Sequence, residues 1–192
     1  GDKSFAWLND SVRNKIHAAF ERGLKMVLDC QVSQQGVKTA WAQQHDNITL
    51  QPVKARTFEL PAITANESCE ILLFLMGIKN PSPEVVEAIH YGVKWLRQVQ
   101  IKDVKLKRVP LTPDQIINHE YPYDLVVVKD LKAEPIWARF YEVTNNKPFM
   151  CTRSGKKVWR LADVDPERRT GYDWYGYWPK KVFEAYAKFI SR

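Results

Sequence analysis

The sequence predicts a mainly α fold in a single domain, residues 1–192, with long loops and short β-strands carried towards the C-terminal end. Three observations predict it. Apolar residues recur at helical spacing in four stretches; each stretch opens on a recognisable helix start; and Gly, Pro, polar and aromatic residues concentrate between them. A chain of 192 residues is long enough to bury a sizeable core.

The first helix runs from Asp10 to Cys30, with Val12, Ile16, Ala19, Phe20, Leu24, Val27 and Leu28 on one stripe. Asp10 and Ser11 supply its N-cap, and His17 beside the stripe reads as a packing histidine. Val32 to Ala62 reads as a long ordered loop, tied down by Trp41, Leu50 and Phe58; such a segment inside a compact domain is usually functional. Thr64-Ala-Asn-Glu67 has capping-box spacing and opens a helix through Ile71, Leu72, Leu75 and Met76. Ser82-Pro83-Glu84 opens the next, by cap, N1 proline and first-turn acid, with Val86, Ile89, Val93, Leu96 and Val99 inward. Leu125–Val128, Trp137–Val143 and Val158–Leu161 read as short strands. Pro179 begins a last helix with Val182, Phe183, Tyr186, Phe189 and Ile190 on one face.

Composition narrows the partners. Hydrophobic residues make up 45% and charged residues 27%, the balance of a globular protein. The longest apolar run, Ile71 to Met76, is far short of a membrane span, and no charged-then-apolar leader stands at the N-terminus. Cys30, Cys69 and Cys151 form no CxxC pair and read as buried free thiols, leaving the redox compartment open. A net charge of +7, with seven Trp and eight Tyr, implies an acidic partner with flat faces to stack on. Nucleic acid, an anionic membrane and an acidic polysaccharide all have that chemistry.

P-loop, GxSxG, HExxH and glycine-rich dinucleotide signatures are absent. His45-Asp46 is adjacent in sequence, which alone indicates loop bracing. The distinctive feature is arginine flanked by aromatics: Ala55-Arg-Thr-Phe-Glu59 and Ala138-Arg-Phe-Tyr-Glu142, with Arg153-Ser-Gly155 and Glu167-Arg-Arg-Thr-Gly-Tyr172 as further basic turns. Arginine grips carboxylates bidentately and stacks on rings, which suits an acidic ligand with planar faces. Taken singly, Arg56 with Glu59 and Arg139 with Glu142 read equally well as pairs bracing a loop.

Read together, an ordered series of motifs resembles polysaccharide lyase family 10. The series is Thr39-Ala-Trp-Ala-Gln-Gln-His-Asp46, Thr49-Leu-Gln-Pro52, Ala55 to Glu59, Glu67-Ser68, Trp137 to Glu142, Pro148-Phe149, Arg153 to Gly155, and Glu167 to Gly176. The resemblance implies part of an α/α toroid, the C-terminal part of a pectate lyase catalytic domain. It implies calcium-assisted anti-β-elimination of polygalacturonate (pectin) with an arginine base. Arg153 is the expected base and Arg139 the alternative; Ser154 stands where the family commonly has aspartate. Arg56 is expected to grip a substrate carboxylate, Arg168 to brace the site, and Trp41, His45, Asp46 and Tyr172 to contact substrate or support the groove. Asp10, Asp29 and Asp46 do not match the family's calcium motifs, so the metal ligands are unknown here and are expected mainly in a preceding half, a candidate partner piece. The enzyme is expected to be secreted or periplasmic.

The competing reading is non-catalytic binding of acidic polysaccharide by an incomplete lyase scaffold. Nucleic acid and membrane are not expected as partners: no helix-turn-helix, RNP or zinc-finger signature is present. No carboxylate pair of a glycoside hydrolase is identifiable either.

Overall fold

A computed structural model describes residues 5–191. Six helices are present among them: α1 (Asp10–Asp29), α2 (Ala65–Met76), α3 (Pro83–Gln98), α4 (Pro113–Ile116), α5 (Pro166–Gly171) and α6 (Pro179–Phe189). Between them lie ten short strands, β1 (Ser33–Gln34), β2 (Val37–Lys38), β3 (Ile63–Thr64), β4 (Val104–Pro110), β5 (Tyr123–Lys129), β6 (Trp137–Ala138), β7 (Phe140–Tyr141), β8 (Pro148–Cys151), β9 (Lys157–Val158) and β10 (Tyr175–Gly176). These pair antiparallel throughout, in a four-stranded sheet of order β3-β7-β8-β9 and three two-stranded ones.

The mainly α expectation, and with it the α/α toroid, is therefore corrected: the described residues mix helices with several antiparallel sheets and do not form a clear toroid. The physical reason lies in strand length. Most strands here are two residues long, too short for alternation to register. The four-stranded sheet also joins Ile63–Thr64 to Phe140–Tyr141, segments remote in sequence.

Helices α2, α3 and α6 pack on one another around Leu72, Leu75, Ile89, Val93, Leu96 and Val182, with Trp95 and Trp137 in the same core. Each fully buried side chain of this size contributes about 1.5–3 kcal/mol. A second core of Phe140, Phe149, Met150, Cys151, Val158, Leu161, Val164 and Trp174 joins the four-stranded sheet to the segment carrying α5. The β4–β5 hairpin lays Leu106 and Leu125 against it. Its first strand went unread because Lys105, Lys107 and Arg108 present it as a charge cluster.

Several local expectations change. The N-cap of α1 is Asn9, whose Oδ1 accepts from the Val12 amide at 2.9 Å, one residue earlier than read. Only Leu28 of α1 is buried. His17 is exposed beside Glu21 at 3.7 Å and packs nothing. Thr64 stands at the N-cap of α2 but makes no side-chain cap bond; its hydroxyl donates to the Trp41 carbonyl at 3.1 Å. Ser82 caps α3 as read, accepting from Val85 at 3.3 Å. Cys69 and Cys151 are buried free thiols, pushed up in pKa by burial, while Cys30 is half-buried.

Candidate active site

Three separate stretches bring arginines and rings to one place. The loop before β3 supplies Arg56, Phe58 and Glu59; the break between β6 and β7 supplies Arg139; α5 and the residues after it supply Arg168, Tyr172 and Trp174. Arg139 sits in that break because its amide donates to the Trp174 carbonyl at 2.8 Å while its carbonyl accepts from Ala65 at 3.0 Å. The backbone around Arg139 is thus pinned on one side to the α5 segment and on the other to the start of α2.

The rings form the floor. Phe58 and Tyr172 meet edge-on at 6.3 Å, and Tyr172 lies 4.6 Å from Trp174. The Arg168 guanidinium lies 3.8 Å from the Phe58 ring centre, 5.0 Å from Tyr172 and 5.3 Å from Trp174. Arg56 approaches Phe58 at 5.2 Å and Arg139 approaches Tyr172 at 4.9 Å. These are distances at which a cation and a ring face attract.

Carboxylates hold three of the arginines. Glu59, only 4% exposed, takes Arg56 through both oxygens, with Arg56 Nε at 2.7 Å. That hydrogen bond holds the Glu59 carboxyl below the usual range and raises Arg56 above its own. Tyr172 donates to Glu59 at 3.3 Å; burial raises its phenol against the charge of Arg139. Arg139, 16% exposed, bonds Glu67, which also accepts from Gln43 at 3.0 Å. Arg139 therefore does not pair with Glu142, which instead takes Lys157 at 2.5 Å. Arg153 is 63% exposed, its Nε on Glu167 at 2.7 Å and its amide on Asp165 at 2.6 Å.

The turn carrying Arg153 is held against the Arg56 loop by a glycine. Gly155 has φ +84°, and a Cβ there would lie 2.5 Å from the Thr57 carbonyl oxygen. Both the left-handed backbone and the close approach require glycine. Five buried side-chain atoms of this cluster have no hydrogen-bond partner: Gln43 Oε1, Glu67 Oε2, Arg139 Nε, and Nε and Nη2 of Arg168. Folded proteins leave few such atoms.

Arg56, Arg139, Arg168 and Tyr172 are thus brought together, with Arg153 at the edge. Three other sequence-predicted residues serve elsewhere. Trp41 is buried in the main core, its indole donating to the Val27 carbonyl at 2.7 Å. His45 bridges two loop backbones, accepting from the Ala42 amide at 3.2 Å and donating from Nδ1 to the Leu50 carbonyl at 2.8 Å. Asp46 closes its own turn with Thr49 at 2.7 Å and Ile48 at 3.0 Å, bonds that hold its carboxyl below the usual range. Sequence reasoning gave Glu67 and Gln43 no role in the site, although both stand in motifs of the family resemblance and Glu67 also carried a capping signal. Among the described residues no group of three or more His, Cys, Asp or Glu could hold a metal ion. No helix among them is long and apolar enough to cross a membrane.

Two solved structures are similar to this chain. The family 10 polysaccharide lyase from Cellvibrio cellulosa matches with a TM-score of 0.78 at 28% identity, over 95% of this chain and 53% of that one. A mutant of a family 10 polysaccharide lyase from Cellvibrio cellulosa, in complex with trigalacturonic acid, matches with a TM-score of 0.77 at 28% identity and the same coverage. The chain therefore spans about half the length of these lyases. No curated protein matches it. The pectic acid lyase family model matches residues 2–183, nearly the whole chain, and by that match the chain belongs to the pectic acid lyase family.

Proposed function

We propose that this chain forms part of a polysaccharide lyase that cleaves polygalacturonate by β-elimination. The observation that carries the reading is the cluster itself: three arginines, Arg56, Arg139 and Arg168, grouped about Phe58, Tyr172 and Trp174, with Arg153 at the edge and unpartnered buried polar atoms among them. A galacturonate chain presents one carboxylate per sugar and flat ring faces, the two features this cluster complements. The trigalacturonate bound by the similar lyase has the same chemistry.

In this reading Arg56, 65% exposed, takes a substrate carboxylate in exchange for part of its bond to Glu59. Arg153 in its neutral form removes the proton from C5. The C–H electron pair becomes the C4–C5 double bond, and the C4–oxygen bond breaks on the opposite face, its electron pair leaving on the oxygen of the neighbouring sugar, which takes a proton from solvent. Positive charge at the carboxylate stabilises the enolate-like transition state. Arg139 is half-buried on Glu67 and Arg168 is buried, so both hold the site, which leaves Arg153 and Arg56 as the side chains that substrate reaches. Arg153 keeps the role of base because Glu59 holds Arg56 through both oxygens, whereas Glu167 holds Arg153 through one.

Calcium belongs to the reading but not to these residues. The described residues do not offer a metal-binding group, so no step is drawn through calcium, and its ligands are assigned to further lyase chain. The exposed apolar side chains Val12, Ile16 and Phe20 of α1, with Phe74 beside Phe20, give that further chain a surface to cover. Export from the cell follows from where pectin is found.

The test is ultraviolet absorbance of the conjugated 4,5-unsaturated end on mixing with polygalacturonate, run with calcium and with chelator. A calcium-dependent rise supports elimination. A flat trace with retained polymer binding favours the second reading, a binding-only lyase scaffold.

A further inference from the structure

The arginine cluster stands at one end of the four-stranded sheet. Arg139 precedes β7 and Arg153 follows β8, and these strands run antiparallel with Phe140 opposite Phe149. The turn that joins them, residues 143–147, therefore lies at the other end. There it meets the β1–β2 turn and the outer face of α3 around a cleft of about 290 Å³. That is the small end of the range of ligand pockets, roughly 300–1,000 Å³.

The floor of this cleft is fixed. Gln34 and Asn146, 112 positions apart, pair through their amides at 2.9 Å in both directions. Gln34 Nε2 also donates to the Val143 carbonyl at 2.7 Å, and the buried Trp95 indole donates to Asn146 Oδ1 at 2.8 Å. With both ends of both amides bonded, the floor keeps its shape without a ligand.

The rim is the opposite. Lys38, Tyr91, Lys94 and Gln98 line the same cleft, yet their side chains make no hydrogen bond or ion pair among the described residues. No Asp or Glu among the described residues lines it, whereas Arg56, Arg139 and Arg153 each hold a carboxylate. Tyr91 and Lys94 also line a wider cavity of about 520 Å³ that continues along α3 past His90 to Pro83. Its carboxylate, Glu87, stands one helical turn before Tyr91. A chain-like ligand thus has a way out of the cleft.

These groups share one ligand chemistry. Side-chain amides and a phenol hydroxyl both donate and accept, as sugar hydroxyls require. The tyrosine ring offers a flat apolar face, and the two ammonium groups take a carboxylate. We propose that this cleft is a second binding site for a uronate sugar, apart from the arginine cluster, where polymer is held and not cleaved. The choice of a uronate among acidic sugars rests on the lyase reading above. Holding one stretch of polymer here raises the effective concentration of the rest of that chain at the protein.

The test follows backbone amide signals of the isotope-labelled chain by NMR while trigalacturonate is added, with chelator present. The amides of Gln35, Gly36 and Asn145 should move together on a titration curve of their own, and should still do so in the Arg56→Ala/Arg153→Ala variant. Lys38→Ala/Lys94→Ala should weaken that curve roughly three- to tenfold, the scale of two exposed ion pairs, with the shifts around Arg139 and Tyr172 unmoved. Maltotriose, which has no charge, and inorganic phosphate, which has no sugar ring, are the controls. Either one moving these amides as strongly as trigalacturonate overturns the uronate assignment. Silence of these amides, or a curve that the lysine variant leaves unchanged, overturns the site itself. Movement here, in a chain that neither cleaves polygalacturonate nor shifts signals at Arg139, upholds the second site while sinking the lyase reading; elimination with these amides silent does the reverse.

Discussion

Gly155 and Thr57, from two loops remote in sequence, are packed so closely that the glycine hydrogen nearest Thr57 fills the only space present. Gly155→Ala should therefore destabilise the fold by about 1–3 kcal/mol, through both the positive φ and the clash. It should also swing Arg153 away from the Arg56 loop. Thermal denaturation and the elimination rate check the two effects; a stable, fully active variant would show that the two loops need not touch.

Arg139 and Glu67 tie the β6–β7 break to the first turn of α2. Glu67→Leu should cost more than Arg139→Leu with Glu67→Leu combined, since the single change leaves a largely buried guanidinium unpaired. A double-mutant cycle in urea reads the coupling, expected at about 0.5–3 kcal/mol.

The two exposed arginines separate by kinetics. Arg153→Ala should abolish elimination, with most polymer affinity retained, whereas Arg56→Ala should chiefly raise KM. Normal turnover in Arg153→Ala, together with none in Arg56→Ala, would transfer the base to Arg56.

Glu59 and Asp124 set an acid limit. Arg56 lowers the Glu59 carboxyl; at Asp124 burial works upward, but the hydrogen bonds from Arg169, at 2.7 and 2.8 Å, bring the carboxyl below its ordinary value. A depressed folded pKa gives stability that is present above the unfolded value, about 4 for these groups, and is lost as pH falls through the folded value. The melting temperature should thus drop below roughly pH 4. Glu59→Gln should show a shallower drop in that window, and an identical slope would remove Glu59 from the account.

On α1, Ile16 and Phe20 are 54% and 42% exposed. Ile16→Ser should change the stability of this chain by no more than about 0.5 kcal/mol. The same change should weaken association with the other half of a lyase domain when the two are mixed, which analytical ultracentrifugation would read.

What the sequence made legible was what local rules govern. Helices α2, α3 and α6 follow from apolar spacing and, in α3, from a serine cap with proline behind it. Arg56 with Glu59 is legible because three residues separate them. The Arg139–Glu67 pair is not, being formed across 72 positions. Nor is the burial of Arg168, which runs against the usual fate of charged residues. For Trp41 the sequence left substrate contact and structural support open, and the structure shows a structural contact. An aromatic in a polar loop resembles a groove wall, yet its indole found a free carbonyl at the end of α1 and went inside.

Thr64 and Glu67 have the spacing to close the N-terminus of α2 by themselves, but both are bonded elsewhere, to the Trp41 carbonyl and to Arg139. A self-capped helix can form early from local sequence. This one must wait for two distant segments, so its first turn and the arginine cluster are expected to assemble together and late, in the order that long loop closures impose. The same bonds make release cooperative: amide protons at the start of α2 should exchange through the opening that frees Arg139, and not by fraying of a helix end.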